Sequence, residues 1–339
     1  MRQLLYLILI TNSLNIFSVE QNLLQQDDFA KELSSYNFFT DQHAQIPSKR
    51  VFSYSLASAL FSDYTKKQRW MYVPKGYEVS YKENEIYDFP DGSALIKTFY
   101  YDDDSINKKN LLETRLLIKN NGSWKAASYA WNEEQTEAYL KIAGKTIATN
   151  FIDQNGETKN VRYRVPNVNQ CKECHAVNDE ISPIGPKARN MNKDVYYDQV
   201  EINQIEHFIN NKIFKPHNLN EKIAVDWTDL SMSLDDRARS YLDINCGHCH
   251  IETGAANSPG LYLDINEQRK NHLGIYKKPV ATGRGSGGFK YSIVPGKPDQ
   301  SIIIHRMKSL DPGIMMPESG RALEDKEAIE MLEEWITSL

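Results

Sequence analysis

Six residues of this chain have the types and spacing of ligand sets. They are Cys171, Cys174 and His175 in "QCKECH", and Cys246, Cys249 and His250 in "NCGHCH". Together they use all four cysteines of the chain. Three chemistries employ cysteines at i and i+3. A zinc ribbon sets its two C-x-x-C pairs about 15–20 residues apart, far closer than Cys174 and Cys246. A thioredoxin-like dithiol sits near a βαβ pattern, which this sequence lacks, and needs no histidine after each pair. Covalent haem attachment uses all three residues. One helical turn brings two thiols to the same side, where each adds to a porphyrin vinyl group. The imidazole that follows reaches the iron as proximal ligand. The repeated C-x-x-C-H therefore reads as two covalently bound haem c groups, held by Cys171, Cys174, Cys246 and Cys249, with His175 and His250 as axial ligands.

A low-spin haem also needs a distal ligand. "DPGIMMPESGR" places Met316 before Pro317 in a turn downstream of the second motif. A thioether there would raise the potential of a His-ligated haem. Met316 is the expected ligand and Met315 the fallback; the alternative is that both only pack. The first motif has no such partner. Met191 in "ARNMN", His207 and His217 are weak axial candidates, and packing or surface roles suit each of them better. An iron with an open position would permit chemistry beyond electron transfer. The sequence offers no catalytic residue set of its own.

The elements that must position these residues follow from periodicity. "SMSLDDRARSYLDINCGHCH" has Ser233 with Asp236 three residues later, a capping-box-like start. Leu234, Ala238, Tyr241 and Leu242 then share a face of a helix expected to deliver Cys246 and Cys249. "EDKEAIEMLEEWITSL" carries a stripe of Ala328, Ile329, Leu332, Trp335, Ile336 and Leu339. This second helix should cross the first and close the pocket. The first motif follows "VPNVNQ", which reads as extended chain because of its proline. Ile202, Ile205, Phe208 and Ile209 suggest a helix after it.

Residues 20 to 165 contain no cysteine. Alternating segments separated by turn signals suggest an antiparallel β domain, a sandwich or open barrel, after a leading helix near "QDDFAKELSSYNFF". The clearest hairpin is "ETRLLIKNNGSWKAASYAWN", turning at Asn121-Gly122. A second turns at Asn155-Gly156. The expected organisation is a signal peptide over 1–19, a β-rich domain with leading helix over 20–165, a first haem segment over 166–225 and a cytochrome c domain over 226–339. The fold class is multidomain α+β: an antiparallel β domain, a short helical haem segment, then a mainly α cytochrome c-like domain.

The N-terminus has Arg2 and an apolar run from Leu4 to Ile10, the pattern of a secretory signal. The expected location is the periplasm or another exported site, membrane-tethered if the signal stays uncleaved. No membrane span is expected after cleavage, because no other stretch is long and apolar enough. A net charge of −5 gives no basic excess to neutralise phosphates, so nucleic acid is not the expected partner.

The phrases "NVNQCKECH", "IGPKARNMN", "RSYLDINCGHCH", "VPGKPDQSIIIHRM" and "MMPESGR" resemble an uncharacterised family of exported bacterial di-haem c-type cytochromes. "LFSDYTKKQRW", "FPDGSALIKTF" and "YAWNEEQTEA" extend the resemblance into the β region. The C-terminal third also resembles a class I cytochrome c domain. The resemblance implies two covalent haems, an envelope location, redox work and a redox partner protein in the envelope, and carries no substrate. The expectation is outer-sphere electron transfer; the alternative is a peroxidase-like di-haem enzyme using an open first haem.

Overall fold

A computed structural model describes residues 18–103, 108–280 and 282–339. All but the last two residues of the expected signal peptide lie outside the described residues. Among the described residues no helix is long and apolar enough to cross a membrane.

The chain begins with one helical turn, α1 (Gln21–Leu24), a 3-10 turn over Leu33–Tyr36, and a short ladder of β1 (Phe39–Asp41) with β2 (Ile46–Pro47). The helix expected near residues 26 to 39 does not form. Asn37 adopts φ +54° and ends the 3-10 turn, and Leu33, Tyr36, Phe38 and Phe39 are all buried. Apolar residues that close together cannot share one face of a helix, and packing into the sheet core overrides local propensity.

That core lies against a six-stranded antiparallel meander: β3 (Val51–Ser53), β4 (Lys66–Tyr72), β5 (Ala94–Asp103), β6 (Lys108–Asn120), β7 (Ser123–Trp131) and β8 (Ala138–Leu140). The hairpin at Asn121-Gly122 joins β6 to β7. Both turn residues have positive φ, +50° and +76°, which matches the strand twist in a two-residue hairpin. A separate hairpin, β9 (Lys145–Ile152) with β10 (Thr158–Val165), follows. One sheet face buries Trp70, Ile96, Leu116, Ala127, Tyr129 and Trp131 against the N-terminal aromatics. Along the other face, apolar clusters flank a central strip of charge.

Next come α2 (Val168–His175), β11 (Ala176–Val177), β12 (Glu180–Ile181), α3 (Ala188–Met191), β13 (Asp194–Tyr197), β14 (Val200–Asn203) and α4 (Gln204–Asn210). The approach to the first motif is helical, not extended. Asn167 and Gln170 form a reciprocal capping box that starts α2 immediately after Pro166. Pro166 lies outside the helix, so its missing N–H costs nothing there.

The C-terminal part contains α5 (Leu234–Asn245), α6 (Ile302–Lys308) and α7 (Lys326–Ser338). Ser233 caps α5, with Asp235 and Asp236 in its first turn where the helix dipole favours them. α7 buries Ala328, Ile329, Leu332, Trp335 and Ile336, each worth a few kcal/mol at most. Trp335 Nε1 donates to Asp235 at 2.9 Å, tying α7 to α5. Leu339, read as part of that stripe, is exposed instead.

The expected fold class is overturned. The protein is mostly β, with 29% strand against 21% helix, and its C-terminal part is not a mainly α cytochrome c-like domain. Its three helices, of 12, 7 and 13 residues, are set in turns and irregular chain. Nine glycines from Gly247 to Gly296, with Pro259, Pro279, Pro295 and Pro298, fill the interval between α5 and α6. Helix interiors reject that composition.

Three clasps lock the C-terminal part onto the rest. Arg189, buried, donates from Nε and Nη2 to both carboxylate oxygens of Asp243 at 3.0 and 2.8 Å. Asn245 Oδ1 accepts from Phe61 N at 2.7 Å. Asp63 Oδ1 accepts from Ala322 N and Leu323 N at 2.7 and 2.8 Å. Between these clasps a cavity remains.

Candidate functional site

The cavity has a volume of ≈ 570 Å³ and is lined by all six residues of the two motifs. That volume is in the range of small-molecule and cofactor sites. The motifs also touch. Cys249 Sγ lies 3.9 Å from the Glu173 carbonyl inside the first motif. Asn178 N donates to Thr253 O at 3.0 Å, extending the contact beyond the cysteines.

The two motifs are held differently. Cys171, Cys174 and His175 sit on α2. Cys246 is the C-cap of α5, and Cys249 and His250 lie in the turn beyond it. The helix expected to deliver Cys246 and Cys249 thus ends at Asn245, short of both, whereas the first motif, expected to follow extended chain, lies within a helix. In the turn, His250 N still donates to Cys246 O at 2.9 Å.

All four cysteines are free thiols. Burial pushes Cys246 and Cys249 up to about 12, and raises Cys171. A redox dithiol needs an easily formed thiolate, which calls for the opposite shift. Among the described residues no three His, Cys, Asp or Glu side chains converge as metal ligands. A haem iron takes only one imidazole from each motif, so its ligands would not form such a cluster.

The histidines suit that role. His175 Nδ1 donates to the Ser182 carbonyl at 2.7 Å, which fixes the tautomer and leaves the Nε2 lone pair free. Desolvation holds His175 down to about 4, so it is neutral near pH 7. His250 is likewise held down to about 4 by burial, and the Leu261 carbonyl partly offsets this. Its Nδ1 has no hydrogen-bond partner of good geometry, so the second imidazole is less firmly oriented than the first.

Met316 lines the cavity and Met315 is buried outside it. A cis peptide bond joins Met316 to Pro317. The buried Arg321 side chain organises this turn: Nη2 donates to the carbonyls of Met316, Ser309 and Arg306 at 3.0, 2.8 and 3.3 Å. Ser319 Oγ lies 3.6 Å from Cys174 Sγ, so the Met-Pro turn borders the first motif as well.

The weak candidates for the first motif lie elsewhere. Met191 is fully buried in the cluster formed by Phe208, Phe214 and Val79. His207 stacks on Tyr197 with ring centroids 3.7 Å apart. His217 spends both ring nitrogens on Tyr87 OH at 3.0 Å and Lys215 O at 2.8 Å. None of the three lines the cavity.

Sequence reasoning missed His248, between the second pair of cysteines. It is buried, lines the cavity and donates from Nδ1 to Ile244 O at 3.2 Å, leaving Nε2 free. Burial, then the neighbouring His175, holds it down to about 3. It also missed a charged strip. Arg69, Lys97 and Arg115 are direct cross-strand neighbours on β4, β5 and β6, and all three line the cavity. Lys97 within the apolar run "ALIKTF" was the available signal, because a lysine half-buried in a central strand is not there for packing.

No family model, curated protein or solved structure matches this chain.

Proposed function

We propose that this chain is an exported di-haem c-type cytochrome whose work is electron transfer. The observation that carries the reading is that both C-x-x-C-H motifs line one cavity, with both of their histidines held neutral by burial. Cys171 and Cys174 would hold one haem and Cys246 and Cys249 the other, with His175 and His250 as proximal ligands. Haem supplies a one-electron couple, and the protein sets its potential and its access to partners. Met316 would supply a thioether to one iron. His248 is the cavity residue best prepared to supply the first motif with a second imidazole. The attachment turns abut, as a short relay requires of its scaffold. The partner in this reading is a redox protein of the cell envelope.

An enzymatic reading, with the first iron open, draws on one observation: Met191, His207 and His217 all lie away from the cavity. His248 argues against it, because it offers the missing ligand.

Expression with a haem-attachment apparatus tests the proposal. The denatured chain should retain haem covalently, two per chain, and oxidised and reduced spectra should report two low-spin centres. A chain that leaves maturation without covalent haem overturns it. One high-spin centre that turns over peroxide would favour the enzyme.

A further inference from the structure

The charged strip on the sheet has more cation than the protein neutralises. Arg69 pairs with Lys97 across β4 and β5, and Lys97 with Arg115 across β5 and β6. Like charges set directly opposite one another oppose sheet formation. Arg115 is neutralised: its Nε and Nη2 donate to Glu113 Oε1 and Oε2 at 2.8 and 3.0 Å. Glu113 is fully committed, since Tyr163 OH also donates to it at 2.7 Å. The Phe99 ring faces Lys97 Nζ at 4.7 Å and the Arg115 guanidinium at 4.4 Å. Among the described residues neither Arg69 nor Lys97 forms an ion pair, and Arg69 Nη2 is buried without a hydrogen-bond partner. A buried guanidinium nitrogen left without an acceptor is costly. Both side chains line the cavity, so an anion in the cavity would meet them.

The strip also has a direction. Ser128 lies opposite Arg115 on β7, and its Oγ is 4.0 Å from Cys171 Sγ. From Ser128 the row runs through Arg115 and Lys97 to Arg69, three strand spacings of about 4.8 Å each. It starts beside Cys171 and ends at two basic side chains that no acidic side chain pairs. The distance is comparable with the length of a haem from its vinyl edge to its carboxylates.

We propose that Arg69 and Lys97 form a carboxylate site in the cavity, and that its occupants are the two propionates of the haem carried by Cys171 and Cys174. The site itself follows from the strip; its occupants rest on the di-haem reading. Arg69 supplies the planar fork suited to one carboxylate, and Lys97, whose charge is disfavoured by burial and the neighbouring Arg69, gains from the other the counter-ion that would keep it protonated. A free carboxylate ligand would use the same chemistry.

The test compares holoprotein with R69Q, K97Q and the double variant. Haem per chain is counted first, and midpoint potentials are then measured with and without added acetate. The expected result is two haems in each protein and no effect of acetate on the wild type. The potential of the first haem falls in the double variant, because loss of positive charge disfavours the reduced state. A tenfold change in the redox equilibrium is expected, about 59 mV for a one-electron couple. If acetate instead shifts the wild-type potential and the double variant abolishes that shift, the site stands and its occupant is a free carboxylate. Unchanged potential in the double variant, with acetate inert throughout, overturns the site. Should the wild type carry no haem, the di-haem reading fails and the propionates with it. Succinate then decides the site: a rise in melting temperature that the double variant lacks supports it, and equal responses overturn it.

Discussion

The thiol of Cys249 points at the backbone carbonyl of Glu173, 3.9 Å away, so each C-x-x-C-H motif is part of the other's wall. Charge on one bound group should therefore be felt at the other, through a protein medium that screens far less than water. We predict that Cys171→Ser with Cys174→Ser removes one haem and shifts the midpoint of the remaining one. The expected size is on the order of 59 mV, one decade of a one-electron equilibrium. Spectroelectrochemistry checks this, and an unmoved midpoint would mean that the sites do not interact.

Met316 and Met315 separate ligation from packing. Met316→Ala should abolish the sulfur-to-iron charge-transfer absorption and lower one midpoint, since a thioether ligand raises the potential. Met315 is buried away from the cavity. Met315→Ala should leave the spectrum intact and cost about 2–5 kcal/mol in denaturant unfolding. Identical spectra for the two variants would remove Met316 from the ligand set.

His248 and Met191 make the corresponding pair for the first motif. His248→Ala should convert one haem to a high-spin form, visible by electron paramagnetic resonance. Met191→Ala should lose stability, again by about 2–5 kcal/mol, with both haems still low-spin. If the resonance spectrum changes with Met191 and not with His248, the assignment is reversed.

The Arg189–Asp243 pair joins α3 to the helix that precedes the second motif. Arg189→Met should cost about 3–5 kcal/mol, because Asp243 is left buried and charged without its partner. Adding Asp243→Leu should recover part of that loss, as an apolar pair avoids the uncompensated charge. Chemical denaturation of the single and double variants decides the matter.

Asp325 gives a pH signature. Burial raises its carboxyl to about 6, against the hydrogen bond from Tyr241. The folded protein therefore holds this proton more tightly than the unfolded chain. The stabilisation this gives is complete below pH 3.8 and is lost as pH rises through about 6. Comparing wild type with Asp325→Asn cancels the opposite contribution of the buried histidines. The variant should gain on the wild type by on the order of 3 kcal/mol between pH 4 and pH 7.5. A constant difference across that range would refute the assignment.

The parts of the site that were legible in the sequence are local ones. The two motifs are short, and cysteine has few other uses in this chain. The Asn121-Gly122 hairpin was readable because a two-residue turn with two positive φ angles selects those residue types. Long-range features were not readable. Arg69, Lys97 and Arg115 come together only through strand register, and no window of sequence contains all three. Arg321 acts on the Met316 carbonyl from a turn that looks featureless. The mainly α reading of the C-terminal part failed for a different reason. Its helices were recognisable, but the glycine- and proline-rich chain between them builds as much of the wall as they do. Pro166 made the approach to the first motif read as extended, yet the capping box of Asn167 and Gln170 starts α2 directly after it.

The way the cavity is walled imposes an order in time on the making of this protein. Its lining comes from the β-sheet, α2, α5, α6 and the turn that ends at Asp325, close to the last helix of the chain. The Cys171 side chain is nearly inaccessible once that wall is complete. In the proposed reading, thioether formation must come first and closure second. Biogenesis would then be a race between the attachment machinery and the chain's own collapse, and a polypeptide that folds too early would shut its thiols away from the cofactor meant for them.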